Sequence, residues 1–387
     1  MIFLGLLGLL QSSFLPGLIL ARLFRPSNML QNVIFAFALS PIINFYIVWI
    51  LVACGHLDQP TLLTIVAFEA VILFIAEKYS EERPMNIRWI FPKRGSMATR
   101  ILYSLVFLLL AVELLLLITH CCDVFCHNDA LLSYDRWAKE WASNQFPTGT
   151  HRYPQLLPTN WGLIYAFTHE PQIEVFSHAL QPLFAVVLLF SYVDLSIERK
   201  TWAPLLAAVG FGAMVTIDSM FYHRTFRWFD TADFPAACYG WFSLYVLLLL
   251  NSKHTEVSRD ELKNSNEWQL LMLSGILVGA AAMTKQAGLW ECLIFPVLIW
   301  LFFRRPQKRT FEIKDLLLWL VPFMIALPWY LKKQFEIWQG ITSSEFHMVT
   351  QQTFTGTVYL ERFINGLHAI VPHGISAFPK FTANCKT

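Results

Sequence analysis

Five short stretches carry side chains that could do chemistry, and each lies beside a long apolar run. Asp129, in 127-HNDALLSYDRWAKEW-141, opens a segment of mixed charge and tryptophan. A carboxylate there either caps a helix, where the helix dipole favours it, or acts as a general base toward an acceptor. Asp230 and Asp233, in 230-DTADFP-235, stand at the mouth of another apolar run. They read as N-terminal caps with Pro235 in the first helical turn, or as carboxylates at the edge of lipid, where their cost marks function. Such a pair could share a divalent cation, or one acid could be a base that the other orients. Lys285 and Gln286, in 284-TKQAGLW-290, offer a point charge for phosphate and an added donor; a lysine there also snorkels. Arg152 and Tyr153, in 151-HRYPQLLPTNW-161, offer a phosphate clamp, or Arg152 pairs with Glu140 or Asp135. The cluster 121-CCDVFCH-127 holds three cysteines, an aspartate and a histidine. A zinc site usually draws on two spaced ligand pairs, and this is one cluster; a disulfide on an oxidising face or free thiols are the alternatives.

The elements that must position these groups are membrane helices. The chain of 387 residues is 56% hydrophobic and 14% charged, against about a quarter charged in a soluble domain. Runs of roughly 20 apolar residues, enough to cross about 30 Å of hydrocarbon as helix, recur from end to end. They are continuous, not alternating, so helices rather than a barrel are expected. The fold class is therefore an all-α polytopic membrane protein with about ten spans, near 1–21, 30–53, 61–77, 100–120, 175–193, 202–219, 233–250, 268–284, 287–303 and 315–331. The first 20 residues lack a basic n-region and an A-x-A site and read as a retained span. Most of the remaining cysteines sit in apolar runs and read as buried thiols.

Loop charge sets the expected orientation. Loops 22–29, 78–100, 194–201, 251–267 and 304–314 hold 18 of the 29 Lys and Arg residues, which marks them as cytoplasmic. The other side then receives 54–60, the long loop 121–174, 220–232, the turn at Lys285 and the tail. A net charge of +2, with no basic cluster interleaved with aromatics, gives no sign of a nucleic-acid partner. In the long loop, Ala130, Tyr134, Trp137, Ala138 and Trp141 share one helical face and Asp135, Arg136, Lys139 and Glu140 the other. This predicts an amphipathic helix lying in the membrane interface with its tryptophans among the headgroups, capped by Asn128 or Asp129. Pro147, Pro154 and Pro158 are expected to interrupt the chain before a helix resumes at 160-NWGLIYAF-167.

In order, these segments resemble the GT-C superfamily of integral-membrane glycosyltransferases, most of all its protein-mannosyltransferase-like and aminoarabinose-transferase-like branch. The likeness covers roughly 100–335. A span ends in 128-ND-129, amphipathic helices follow, and a Pro-Leu turn, 153-YPQLLPTNW-161, leads into a helix. An acid-Pro motif then opens the span 230-DTADFPAACYGWFSLYVLLLL-250, and 278-VGAAAMTKQAGLW-290 is similar to that branch's T-K-Q segment. Asn128 stands where many relatives have a second acid, and Arg152 and Tyr153 where they often have Lys.

The resemblance implies an enzyme that moves a sugar from a polyprenyl-phosphate donor to a glycan, lipid or protein acceptor on the outer face of the plasma membrane. It assigns Asp129 as catalytic base, Asp233 (with Asp230 as rival) as the later acid, and Lys285 to the carrier phosphate. Arg152, Tyr153 and Gln286 join the expected binding residues. A divalent cation on Asp230 and Asp233 is the candidate cofactor. The expected organisation is an N-terminal unit 1–99, a catalytic membrane core 100–335 and an outer-side tail 336–387. That tail reads as the end of a short relative or as a truncated product. The chief alternative is a transporter or flippase of lipid-linked sugars, which should carry charge or broken helices near mid-membrane; Glu69 and Glu113 are the deep acids to note. A scaffold whose acids are only caps, and a carrier-independent membrane enzyme such as a ligase, are further rivals.

Overall fold

A chain this apolar satisfies its backbone polar groups internally, and in lipid it does so through helices. The computed structural model describes residues 1–78, 96–120, 125, 130–150, 153–222, 231–256, 266–304 and 313–339. The chain divides into two units, Met1–Gln339 and Gly340–Thr387; the second lies outside the described residues.

All regular structure among the described residues is helical. The elements are α1 (Ile2–Ser13), α2 (Leu15–Ala21), α3 (Met29–Cys54), α4 (Gln59–Lys78), α5 (Met97–His120), α6 (Asp135–Ala142), α7 (Leu156–Thr168), α8 (Val175–Arg199), α9 (Ala203–Tyr222), α10 (Asp233–Glu256), α11 (Asn266–Thr284), α12 (Gly288–Ile299) and α13 (Ile313–Trp338). Seven helical segments are long and apolar enough to cross a membrane: Ile2–Phe24, Met29–Cys54, Gln59–Lys78, Val175–Arg199, Asp233–Ser252, Glu267–Thr284 and Leu316–Trp338. The other three expected spans also fall on helices, α5, α9 and α12, whose described apolar stretches are shorter.

Local sequence explains the boundaries. Asn28 caps α3, its side chain accepting from Gln31 N, and Gly55 ends that helix at φ 72°, a left-handed conformation that favours glycine. The first segment bends at Phe14, and Pro16 sits in the opening turn of α2, where a missing N–H costs nothing. Gly17 lets α2 lie against α3: a Cβ there would stand 1.9 Å from Ala36 O, and its N–H donates to Ser40 Oγ at 2.9 Å.

Helix α7 positions everything that follows. Each of its residues from Leu156 to Thr168 is buried, and α1, α3, α4, α6, α8 and α11 pack around it. It begins at Leu156, four residues before the helix expected from sequence, with Pro158 inside its first turn. Ser12 Oγ donates to Asn160 O at 3.3 Å and Asn160 Nδ2 donates to Pro41 O at 3.0 Å. Pro41 lies about 20 Å along α3 from Cys54, at about 1.5 Å per residue. At its other end Phe167 O accepts from Gln59, at the start of α4. The helix thus climbs from well inside the bundle to the end where α3 stops and α4 starts.

Polar contacts sort the helix ends into two sets. Leu57 meets Asn144, Lys285 meets Asp233 and Lys333 meets Pro147. Arg22 meets Glu77, Asn28 meets Asp194 and Arg304 meets Glu267. In these contacts no loop of the first set touches one of the second.

Candidate functional site

Of the expected site residues, Asp129, Arg152 and Asp230 lie outside the described residues, as does most of the cysteine cluster. Tyr153, Asp233, Lys285 and Gln286 are described, and they fall into two neighbouring groups.

The first group is built on α6. A π-helical turn, Ala130–Tyr134, leads into it, and Asp135 and Lys139, one turn apart on the same face, form an ion pair at 2.5 Å. Lys139 also reaches Glu174 at 3.3 Å. The Tyr165 hydroxyl donates to Asp135 Oδ1 at 2.6 Å, and Phe125 N donates to Glu174 Oε2 at 3.1 Å. One ammonium thus serves two carboxylates. Partial burial pushes the Lys139 ammonium toward lower pKa, and hydrogen bonds and charge from Asp135 and Glu174 more than reverse this, so the net shift is upward.

The sequence placed Asp135 on the outward polar face of an interfacial helix; instead it is 4% exposed. The tryptophans differ too. Trp137, Trp141 and Trp161 are buried in protein, not spread among headgroups, because α7 and α13 cover the face that was expected to meet lipid. Trp141 Nε1 donates to Gln155 Oε1 at 3.3 Å. The ring nitrogens of Trp137 and Trp161 are buried without a partner among the described residues. Both indoles flank Tyr134, whose hydroxyl donates to the Tyr153 hydroxyl at 2.6 Å. Tyr153 O accepts from Trp329 Nε1 at 2.9 Å. Tyr153, expected as a binding residue, is therefore fixed at the meeting point of α6, α7 and α13.

The second group lies at the ends of α10, α11 and α12. Asp233 opens α10, where a carboxylate suits the helix dipole, and Lys285 follows α11 in a turn closed by Gly288 N donating to Lys285 O at 2.9 Å. The two side chains form an ion pair across 52 residues of sequence. The Asp233 side chain is 62% exposed and that of Lys285 28%, so water screens the pair and its contribution is about 1 kcal/mol or less. Gln286 is exposed in the same turn.

Glu291, which sequence reading passed over, sits one helical turn farther on in α12. Its Oε2 is 2.6 Å from where a Cβ of Gly240 would stand, so its carboxyl packs directly against that glycine of α10. A single acid in the apolar run 288-GLWECLIFPVLI-299 was the signal that could have found it.

The two groups meet through consecutive residues of α13. Trp329 holds Tyr153, and the Tyr330 hydroxyl donates to Ala282 O at 3.0 Å, three residues before Lys285. A cleft of about 230 Å³ lies at the other end of the bundle, lined by Asn28, Phe107, Phe190 and Asp194 among others, and holds none of the expected residues.

Among the described residues no group of three or more His, Cys, Asp or Glu is placed to hold a metal ion. Asp233, the described half of the expected metal pair, has Lys285 as its partner, and a metal role rests on Asp230 outside that set. Comparisons with protein-family models, with curated proteins and with solved structures returned no match.

Proposed function

We propose that the protein is a polytopic membrane glycosyltransferase that takes a sugar from a polyprenyl-phosphate carrier and passes it to an acceptor at the outer face. The observation that carries this reading is the Lys285–Asp233 pair. Two residues singled out separately in sequence converge at one end of the bundle, beside the aromatic group around Tyr153. A lysine held on an exposed carboxylate can exchange that partner for a phosphate. In this reading Lys285, with Arg152, takes up charge that grows on the leaving phosphate. Asp129 removes the acceptor proton, and Tyr153 and Gln286 line the approach. No step is routed through a metal.

Ten crossings belong to the same proposal, with α5, α9 and α12 completing the seven long segments. Two features support them: the separation of polar contacts into two sets, and the 18 basic residues in the loops of one set. The charge bias makes that set cytoplasmic and puts Asp233, Lys285 and α6 outside. Isolated charge deep in the membrane would favour the transporter reading, and Glu69 is the residue on which that reading rests.

The test is mass spectrometry of polyprenyl-phosphate lipids in native cells carrying wild type, Asp129→Asn or Lys285→Gln at equal protein level. A polyprenyl-phosphate sugar that accumulates in both variants supports the transferase and names the sugar class. Turnover in Lys285→Gln should fall about 100-fold, as for loss of one charge-stabilising donor. Identical lipid pools in all three strains would remove the reading.

A further inference from the structure

Helix α4 is the least enclosed of the long segments. It buries only two residues, Leu62 and Glu69, seven apart and so on one face. Its most polar central residue is thus turned inward, while Phe68, Val71, Phe74 and Ile75 beside it are exposed.

Glu69 is 6% exposed and meets amides, not cations. Gln11 Nε2 donates to Glu69 Oε1 at 3.1 Å and to Asn44 Oδ1 at 3.2 Å, and Asn44 Nδ2 donates back to Gln11 O at 2.8 Å. Two acceptors in this triad, Glu69 Oε2 and Gln11 Oε1, are buried without a partner among the described residues. Glu69 Oε2 has no donor where it stands, and a proton on the carboxyl removes the need for one.

Among the described residues the surroundings offer no counter-charge. Helices α1 and α2 contain no ionisable side chain. Arg22, which follows α2, is on Glu77, two turns farther along α4. In α3 the titratable groups are Tyr46, whose hydroxyl donates to Ile325 O, and the exposed Cys54. In α7 the only one is Tyr165, committed to Asp135. On α4 itself the others are Glu77 and Lys78 at its end. A buried carboxylate without a cation is far costlier than the neutral acid.

We propose that Glu69 is a proton-binding site within the membrane, occupied at neutral pH and shielded from water, on a helix whose outer face meets lipid. An apolar carbodiimide is the matching probe. The carboxyl proton passes to a carbodiimide nitrogen and the carboxylate oxygen bonds to the central carbon, giving an O-acylisourea. Migration of the acyl group from oxygen to nitrogen then gives a stable N-acylurea whose mass is the sum of both reactants. The proposal does not depend on the glycosyltransferase reading.

The experiment uses the full chain in lipid nanodiscs. Difference infrared spectroscopy between wild type and Glu69→Gln should reveal one protonated-carboxyl stretch at neutral pH. Dicyclohexylcarbodiimide should add once to the peptide containing Glu69 and not to the variant, and a water-soluble carbodiimide should leave Glu69 untouched. Absence of the infrared band overturns the proposal, whatever the labelling result. Equal labelling by the water-soluble reagent overturns it as well, because the site would then face water.

Discussion

The two ends of the bundle both hold buried acids, and they treat them oppositely. At the end that we propose is cytoplasmic, Asp194 is fully buried. It accepts from Asn28 Nδ2 at 2.7 Å, Gln31 Nε2 at 3.0 Å and the Tyr245 hydroxyl at 2.5 Å. Neutral donors from α3 and α10 surround a carboxylate on α8, and no lysine takes part in these bonds. At the other end the buried Asp135 and Glu174 share Lys139, and the exposed Asp233 is paired with Lys285, each lysine keeping part of its surface in solvent. The first arrangement ties helices together and leaves nothing to exchange. The second leaves a cation that can change partner. Burial of an acid is thus a poor guide to function by itself; what partners the acid, and whether a ligand can reach that partner, separates the two cases.

The largest effect that tests this contrast is at Asp194. Asp194→Ala orphans the buried Gln31 amide and Tyr245 hydroxyl at about 1–3 kcal/mol each, leaves Asn28 Nδ2 only its bond to Glu198 at 3.2 Å, and should lower stability by several kcal/mol. Asp194→Asn, which keeps one acceptor oxygen, should lose less. Denaturant unfolding in detergent measures both, and under the proposed function transfer per folded molecule should be unchanged.

Asp135→Asn comes next. It removes one of the two carboxylates on Lys139 and should cost roughly 1–3 kcal/mol, the range for hydrogen bonds to charged groups. The pH dependence has a definite sign. The folded pKa of Lys139 is raised. Its stabilisation is therefore complete below the unfolded value of about 10.4 and is lost as pH rises through the higher folded value. Melting temperature should fall over that alkaline range in wild type and fall less in Asp135→Asn.

Asp233→Asn should have the smallest effect on stability, about 1 kcal/mol or less, while under the proposed function it changes transfer. If it melts the protein as Asp194→Ala does, the contrast between the two ends fails.

The helices were legible in sequence because each expected span is a continuous apolar run, and all ten fall on helices. Asp233 and Lys285 were legible one at a time, since each breaks such a run, but their pairing depends on how α10 and α11 pack. Asp135 was misplaced because helical spacing gives a face and not what covers it: the Tyr165 hydroxyl comes from a helix 30 residues on. Asp194 was assigned to a loop because the expected span ended at 193, whereas α8 runs on to Arg199. Asp129, Arg152 and Asp230 lie outside the described residues, and the structure adds nothing to the reading of them.

The burial of α7 also bears on how the protein is made. Its 13 residues are too few to cross about 30 Å of hydrocarbon, so no insertion step can seat it as an independent span. The helices around it come from both sides of it in the chain: α1, α3 and α4 are made earlier, α8 and α11 later. Its final seat is therefore complete only after α11 has left the ribosome. Seating α7 is thus a late folding step, and a chain stopped before α11 should hold α7 in a site open on one side.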